Sequence, residues 1–159
     1  MRVPLLALVL PLAACGSSGS GDCETIGMTH AGSMTATTPD GPFVAECLTV
    51  ATIGDQLTVT AVGSTSVLEG VLPRTISVGV LRGDTTGTYL YGGSPARLIA
   101  SYDPGGAGGE RVGAGDPSAV VVTQVSPRFE GEFSFQSTDG LGRPTGGKVE
   151  GTFSVSREP

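Results

Sequence analysis

The side chains that could do chemistry in this chain are few and scattered. His30 is the only histidine among 159 residues, so a nucleophile–base–acid relay of the Ser–His–Asp kind would have to run through it. Its surroundings, Met28-Thr29-His30-Ala31-Gly32-Ser33, read as a loop or strand approach, and no Gly-x-Ser-x-Gly elbow supplies a nucleophile. His30 is therefore expected to be an exposed or capping residue. Glu130, Glu132 and Glu150 form a richer set. Neighbouring carboxylates can divide acid and base roles at a glycosidic bond or hold Ca²⁺ weakly. The plainer reading is a solvated acidic strand face that discourages unwanted edge pairing. Gly142-Arg143-Pro144-Thr145-Gly146-Gly147-Lys148 has the spacing of a phosphate loop. Val149 follows where a hydroxyl residue is required, and a strand pattern follows where a helix N-terminus is required, so we reject that reading. Tyr89, Tyr91 and Tyr102 could stack on sugar rings. Only five Phe and three Tyr serve the whole chain, however, and core packing claims them first. We assign no catalytic residue, no cofactor and no metal, since one histidine and no Cys-x-x-Cys pair leave no ligand set.

Three cysteines remain: Cys15, Cys23 and Cys47. Met1-Arg2 precedes an apolar run over residues 3–14, interrupted only by Pro4 and Pro11. Such a run is too short to cross the ~30 Å hydrocarbon layer as a helix, but it suits the hydrophobic region of a secretory signal peptide. It closes on Leu12-Ala13-Ala14-Cys15-Gly16. This resembles the lipobox of bacterial lipoproteins, a Leu and two small residues before the Cys that is diacylated. The resemblance implies that residues 1–14 are removed and that Cys15 becomes the acylated N-terminus. The alternative is an ordinary cleaved signal peptide with an incidental cysteine. Two or three acyl chains hold a protein stably on a membrane where one holds it only marginally. Gly16 stands where an Asp would favour retention at the inner membrane, so the resemblance implies the outer membrane of a two-membrane cell. Residues 15–22, with Gly16-Ser17-Ser18-Gly19-Ser20-Gly21, then form a lipidated Cys and a flexible tether. With Cys15 so used, Cys23 and Cys47 are an even pair in an oxidising compartment. A disulfide between them would contribute about 3 kcal/mol by restricting the unfolded chain; the alternative is a pair of buried thiols.

The elements that must position these groups are strands. Apolar and polar residues alternate with period two from about residue 33 onward. Phe43, Ala45, Cys47, Thr49 and Ala51 share one face. Leu57, Val59 and Ala61, then Ile76, Val78 and Val80, then Leu98, Ala100 and Tyr102 repeat the pattern. Val120 to Val122 reads as a strand buried on both faces. Asp40-Gly41, Gly54-Asp55, Gly92-Gly93, Asp116-Pro117 and Asp139-Gly140 punctuate these runs as turns. The glycine-rich stretch 104–117 reads as a loop, too Gly-rich to preorganise a catalytic group and suited to mobility or a partner contact. Phe129-Glu130-Gly131-Glu132-Phe133-Ser134-Phe135 is echoed by Val149-Glu150-Gly151-Thr152-Phe153-Ser154-Val155. The echo predicts an antiparallel hairpin with its aromatic residues on one face and its carboxylates on the other, each Gly leaving room for a ring. The expected fold class is all-β: an antiparallel β-sandwich, or open barrel, of about eight to ten strands, with residues 23–159 as a single domain.

Residues 33–46, 87–91, 119–135 and 148–155 occur in an order that resembles a family of small all-β bacterial lipoprotein domains. They share a Met-Thr-Ala, Asp-Gly, aromatic opening, a Gly-Thr-Tyr strand and a closing pair of Gly-x-Phe strands. The resemblance implies a sandwich of unknown function and supplies no catalytic residues. The chain departs from it at Glu46-Cys47, in the partner cysteine Cys23 and in the Gly-rich stretch. A formal charge of −6 repels nucleic acid and anionic lipid. The expected function is that of a non-enzymatic cell-envelope protein, held at a membrane through its N-terminal lipid and binding an unknown protein or glycan. An envelope hydrolase using Glu130, Glu132 and Glu150, or an inhibitor of another enzyme, are the alternatives.

Overall fold

Successive side chains of a strand point to opposite faces, so an alternating sequence builds a sheet with one oily side. The structure, a computed structural model, describes residues 23, 27–28, 32–63, 73–81, 85–92, 98–105, 112–138 and 143–157. These hold ten strands: β1 (Gly32–Thr38), β2 (Gly41–Val44), β3 (Cys47–Ile53), β4 (Gln56–Gly63), β5 (Arg74–Leu81), β6 (Gly87–Leu90), β7 (Leu98–Asp103), β8 (Val112–Gln124), β9 (Arg128–Thr138) and β10 (Pro144–Ser156). All pair antiparallel, in the order β2-β1-β10-β9-β8-β7-β5-β4-β3, with β6 on β8. The expected all-β sandwich is thus present. Residues 1–22, with the signal segment, Cys15 and the tether, lie outside the described residues, as does His30.

The path folds into two layers at two places. The long strand β8 is shared: Val112 and Gly113 pair with β7, whereas Ala119 to Val122 pair with β6. At the opposite end the chain itself changes layer. The Ala45 N–H donates to the Met34 carbonyl on β1, and the very next N–H, of Glu46, donates to the Val62 carbonyl on β4, both at 2.9 Å. One layer is therefore β6-β8-β9-β10-β1-β2 and the other β7-β5-β4-β3. Strands that switch layers in this way make the corners of a sandwich. Every strand sends side chains into one core, from Met34 and Phe43 through Leu48, Val59, Ile76, Tyr89, Leu98 and Val120 to Phe129 and Val149.

The corner corrects one sequence expectation. Residues 43–51 read as a single alternating strand with Phe43 and Cys47 on the same face. The structure divides them between β2 and β3, and the facing inverts between the two. Phe43 and Ala45 meet the main core, and so do Leu48 and Val50, while Cys47 points to the outside of its layer. A second correction concerns the Gly-rich stretch. Residues 112–117 belong to β8, and Asp116-Pro117 is not a turn but part of an irregularity between Gly115 and Ser118. Proline, lacking a ladder donor, is tolerated in a strand at such a bulge; the Ser118 hydroxyl accepts from the Gln136 N–H there. Thirdly, Val120 and Val122 are buried but Val121 is 38% exposed, so β8 has one dry face, not two.

The closing hairpin follows its sequence echo. Phe153 lies opposite Gly131 and Phe133 opposite Gly151. Phe153 packs 4.9 Å from Phe129 and 6.4 Å from Phe133, centroid to centroid. A Cβ on Gly131 would meet the Phe153 ring and the Val121 carbonyl oxygen. Gly151 is small for a different reason than expected: its neighbour is not a ring but the backbone of β1, at the Thr35 carbonyl and Ala36. The phosphate-loop spacing dissolves in the same hairpin, because β10 already begins at Pro144 and carries Lys148 within it.

Candidate functional site

The outward side chains of the larger layer build an extended relief on the described surface. Register places them in rows across the strands: Leu90, Ala119, Ser134 and Glu150 form one, and Thr88, Val121, Glu132 and Thr152 the next. Small Ala119 and Ser134 in the middle of the first row leave low ground, a trough, between taller neighbours. Two open depressions, of about 450 and 420 Å³, meet at Ala119 and Ser134. Exposed Leu90, Tyr91 and Val121 stand on the β6–β8 side. Gln136, Lys148, Glu132, Glu150 and Thr152 stand on the β9–β10 side. The trough is therefore amphipathic across its width, with an apolar bank and a polar one.

The three carboxylates divide unequally. Glu132 and Glu150 line the same depression. Glu150 pairs with Lys148, and Glu132 has no partner among the described residues. Glu130 sits apart, accepting from Arg128 Nε at 3.0 Å and from the Ser154 hydroxyl at 2.6 Å. Arg128 also donates to the Ser154 carbonyl and the Ser156 hydroxyl, so Glu130 and its arginine staple β9 to β10. Glycosidic acid–base work needs two carboxylates in different environments on either side of a bond. Glu132 and Glu150 share one open, solvated bank. Among the described residues no group of three His, Cys, Asp or Glu side chains could hold a metal ion.

The tyrosines also divide. Tyr89 and Tyr102 are buried and Tyr91 is exposed at the trough. Tyr102 carries a polar cluster that no sequence pattern announced. Its hydroxyl donates to Asp40 Oδ2 at 2.8 Å and accepts from Arg74 Nε at 3.3 Å, with the Thr38 hydroxyl 3.3 Å away. Arg74 further donates to Thr38 Oγ1, the Gly41 carbonyl and the Pro42 carbonyl, and its guanidinium lies 5.8 Å from the Phe43 ring centre. Burial pushes the Tyr102 phenol above its usual value of 10.0; Asp40 adds to the rise, while Thr38 and Arg74 oppose it. No buried side-chain polar atom here lacks a partner, and the cluster ties the β1–β2 turn of one layer to β5 and β7 of the other. It is a latch and not a ligand site.

On the outside of the smaller layer, Cys23 and Cys47 form the expected disulfide, with their Cα atoms 5.5 Å apart. Met28 and Val62 close over it in a small satellite core. No family model, curated protein or solved structure matches this chain.

Proposed function

We propose that this is a non-enzymatic protein of the bacterial cell envelope, held at a membrane by a lipid on Cys15, that binds a protein or glycan in the trough between Tyr91 and Glu132. The observation that carries the reading is Leu12-Ala13-Ala14-Cys15-Gly16 at the end of a single short apolar run. The Cys23–Cys47 disulfide supports it, because disulfides persist outside the reducing cytosol. The trough supports the binding half: ligand sites combine apolar lining with a few placed polar groups, and Leu90, Tyr91 and Val121 are exposed opposite Glu132 and Gln136.

Cys15→Ser tests the anchor. The variant is expected to lose palmitate labelling and to leave the membrane fraction, whereas processing and membrane attachment unchanged by the substitution would overturn the reading. Intact-mass analysis of the mature wild-type protein reports acylation, cleavage before Cys15 and the disulfide together. A second reading, an envelope hydrolase, has one observation in its favour, namely that Glu132 and Glu150 line one depression. It requires Glu132→Gln or Glu150→Gln to abolish turnover of a glycoside. Ligand binding retained with no such turnover by the wild type decides for the binding protein.

A further inference from the structure

The two outer faces of the sandwich differ in charge, and Cys23 lies on one of them. Across β3, β4, β5 and β7 the outward rows are Cys47, Val62, Thr75 and Asp103, then Thr49, Thr60, Ser77 and Ser101, then Ala51, Thr58, Gly79 and Ile99, then Ile53, Gln56 and Leu81. Among the described residues the last three rows hold no charged side chain, and the first holds one, Asp103 at the end of β7. Glu46, Asp55 and Asp103 stand only at strand ends and turns. Ile53 and Ile99 are 70% and 51% exposed. The trough face, by contrast, carries Arg128, Glu130, Glu132, Lys148 and Glu150.

Cys23 lies on this sparsely charged side. Cys47 and Val62 are paired in register and point away from the main core, since their neighbours Leu48 and Ala61 belong to it. The disulfide and Met28 therefore sit on the outside of β3 and β4. From Cys15 to Cys23 the backbone can reach at most about 28 Å. Sheets stack about 10 Å apart, with a further side-chain layer on each outer face. A leash starting on the β3–β4 side reaches a membrane beneath that side with slack to spare. It would have to be nearly straight to let the trough face the membrane instead.

We propose that the outer face of β3, β4, β5 and β7 rests on the headgroup surface of the membrane that holds the lipid on Cys15, and that the trough is turned away from it. The proposal rests on the lipid anchor proposed above. A net negative protein meets phosphate headgroups with least repulsion through its sparsely charged face. The face needs little affinity of its own, because a short leash presents it to the surface at an effective concentration in the millimolar range. A ligand of the trough then arrives from the aqueous side, not from the bilayer.

Lys148, the only lysine in the chain, lies on the trough and supplies a built-in probe. A soluble amine-reactive reagent is applied to the mature chain on phosphatidylcholine vesicles, and modification is read at each site by peptide mass spectrometry. The chain is attached by its own acyl groups or, in a parallel sample, through a maleimide lipid coupled to Cys15, the one thiol left by the disulfide. The parallel sample tests orientation even if palmitate labelling shows that the cell does not acylate Cys15, so the two readings fail separately. In the wild type, Lys148 is expected to react at the same rate on vesicles as in solution. In Lys148→Arg chains carrying Ile99→Lys or Ala51→Lys, the introduced lysine is expected to react at least about fivefold more slowly on vesicles, as a face docked most of the time requires. Equal rates on vesicles and in solution, or slowing at Lys148, would overturn the proposal. So would slowing that appears in solution and grows with protein concentration, which would assign the face to a second copy of the chain.

Discussion

The Tyr102 hydroxyl joins three segments that lie far apart in the chain, and its environment makes it the most informative single atom in the protein. Removing it as Tyr102→Phe takes the donor from Asp40 Oδ2 and the acceptor from Arg74 Nε, and is expected to cost about 1–2 kcal/mol in urea unfolding. Its titration has a definite sign. The folded-state pKa lies above the unfolded value of 10.0, so this contribution is full below pH 10 and is lost as pH rises through the folded-state pKa. Unfolding curves of the wild type and Tyr102→Phe should therefore draw together above pH 10; a gap that stays constant or widens there would contradict the assignment. The inward direction of Tyr102 was legible from its alternation with Leu98 and Ala100. Its partners were not, because Asp40 and Arg74 are 62 and 28 residues away and nothing local marks a distant hydrogen bond. Glu130 teaches the same lesson from the other side: as an outward carboxylate it was legible, as the partner of Arg128 and Ser154 it was not.

Among the elements, the β9–β10 hairpin was the most legible and the β2–β3 corner the least. A strand pair repeats its facing along its whole length, so Phe129, Gly131, Phe133 and Phe135 could be aligned against Val149, Gly151, Phe153 and Val155 from pattern alone. The corner at Ala45 and Glu46 leaves no such trace, because inverting the facing takes only one residue and the residues on both sides remain apolar. The glycines of the hairpin give an element-level test. Gly151→Ala would drive a methyl into the β1 backbone at Thr35 and Ala36, and backbone cannot rotate away. A loss of about 2 kcal/mol or more is expected, of the kind seen on overpacking, with the thermal midpoint as the measurement. Phe153→Ala removes the ring shared by Phe129 and Phe133 and should cost about 3–5 kcal/mol. Should Gly151→Ala prove neutral, the close approach of β10 to β1 is not as described.

For the molecule as a whole, the disulfide fixes Cys23 on the outside of the smaller layer. Cys47→Ser with Cys23→Ser is expected to lower stability by about 3 kcal/mol and to free the Met28 contact with Val62, which protease sensitivity between residues 23 and 32 would report. The double variant should keep its sheet content, because Cys23 and Cys47 lie outside the main core. The sequence by itself determined the class of structure, the inward residues of most strands and the closing hairpin, and it offered Cys23 and Cys47 as a pair that the structure joins. The first three follow from a local period, which a one-dimensional record retains. Only the tertiary structure decided that β2 and β3 belong to opposite layers and that Tyr102, Asp40, Arg74 and Thr38 form one latch. It alone brought Leu90 and Tyr91 beside Glu132 and Gln136 to make a trough. It alone placed the disulfide on the sparsely charged face. The physical reason is common to all four. Each depends on which strands become neighbours across the fold, and neighbours in an antiparallel sandwich are chosen by the burial of the whole core and not by any residue's own sequence surroundings.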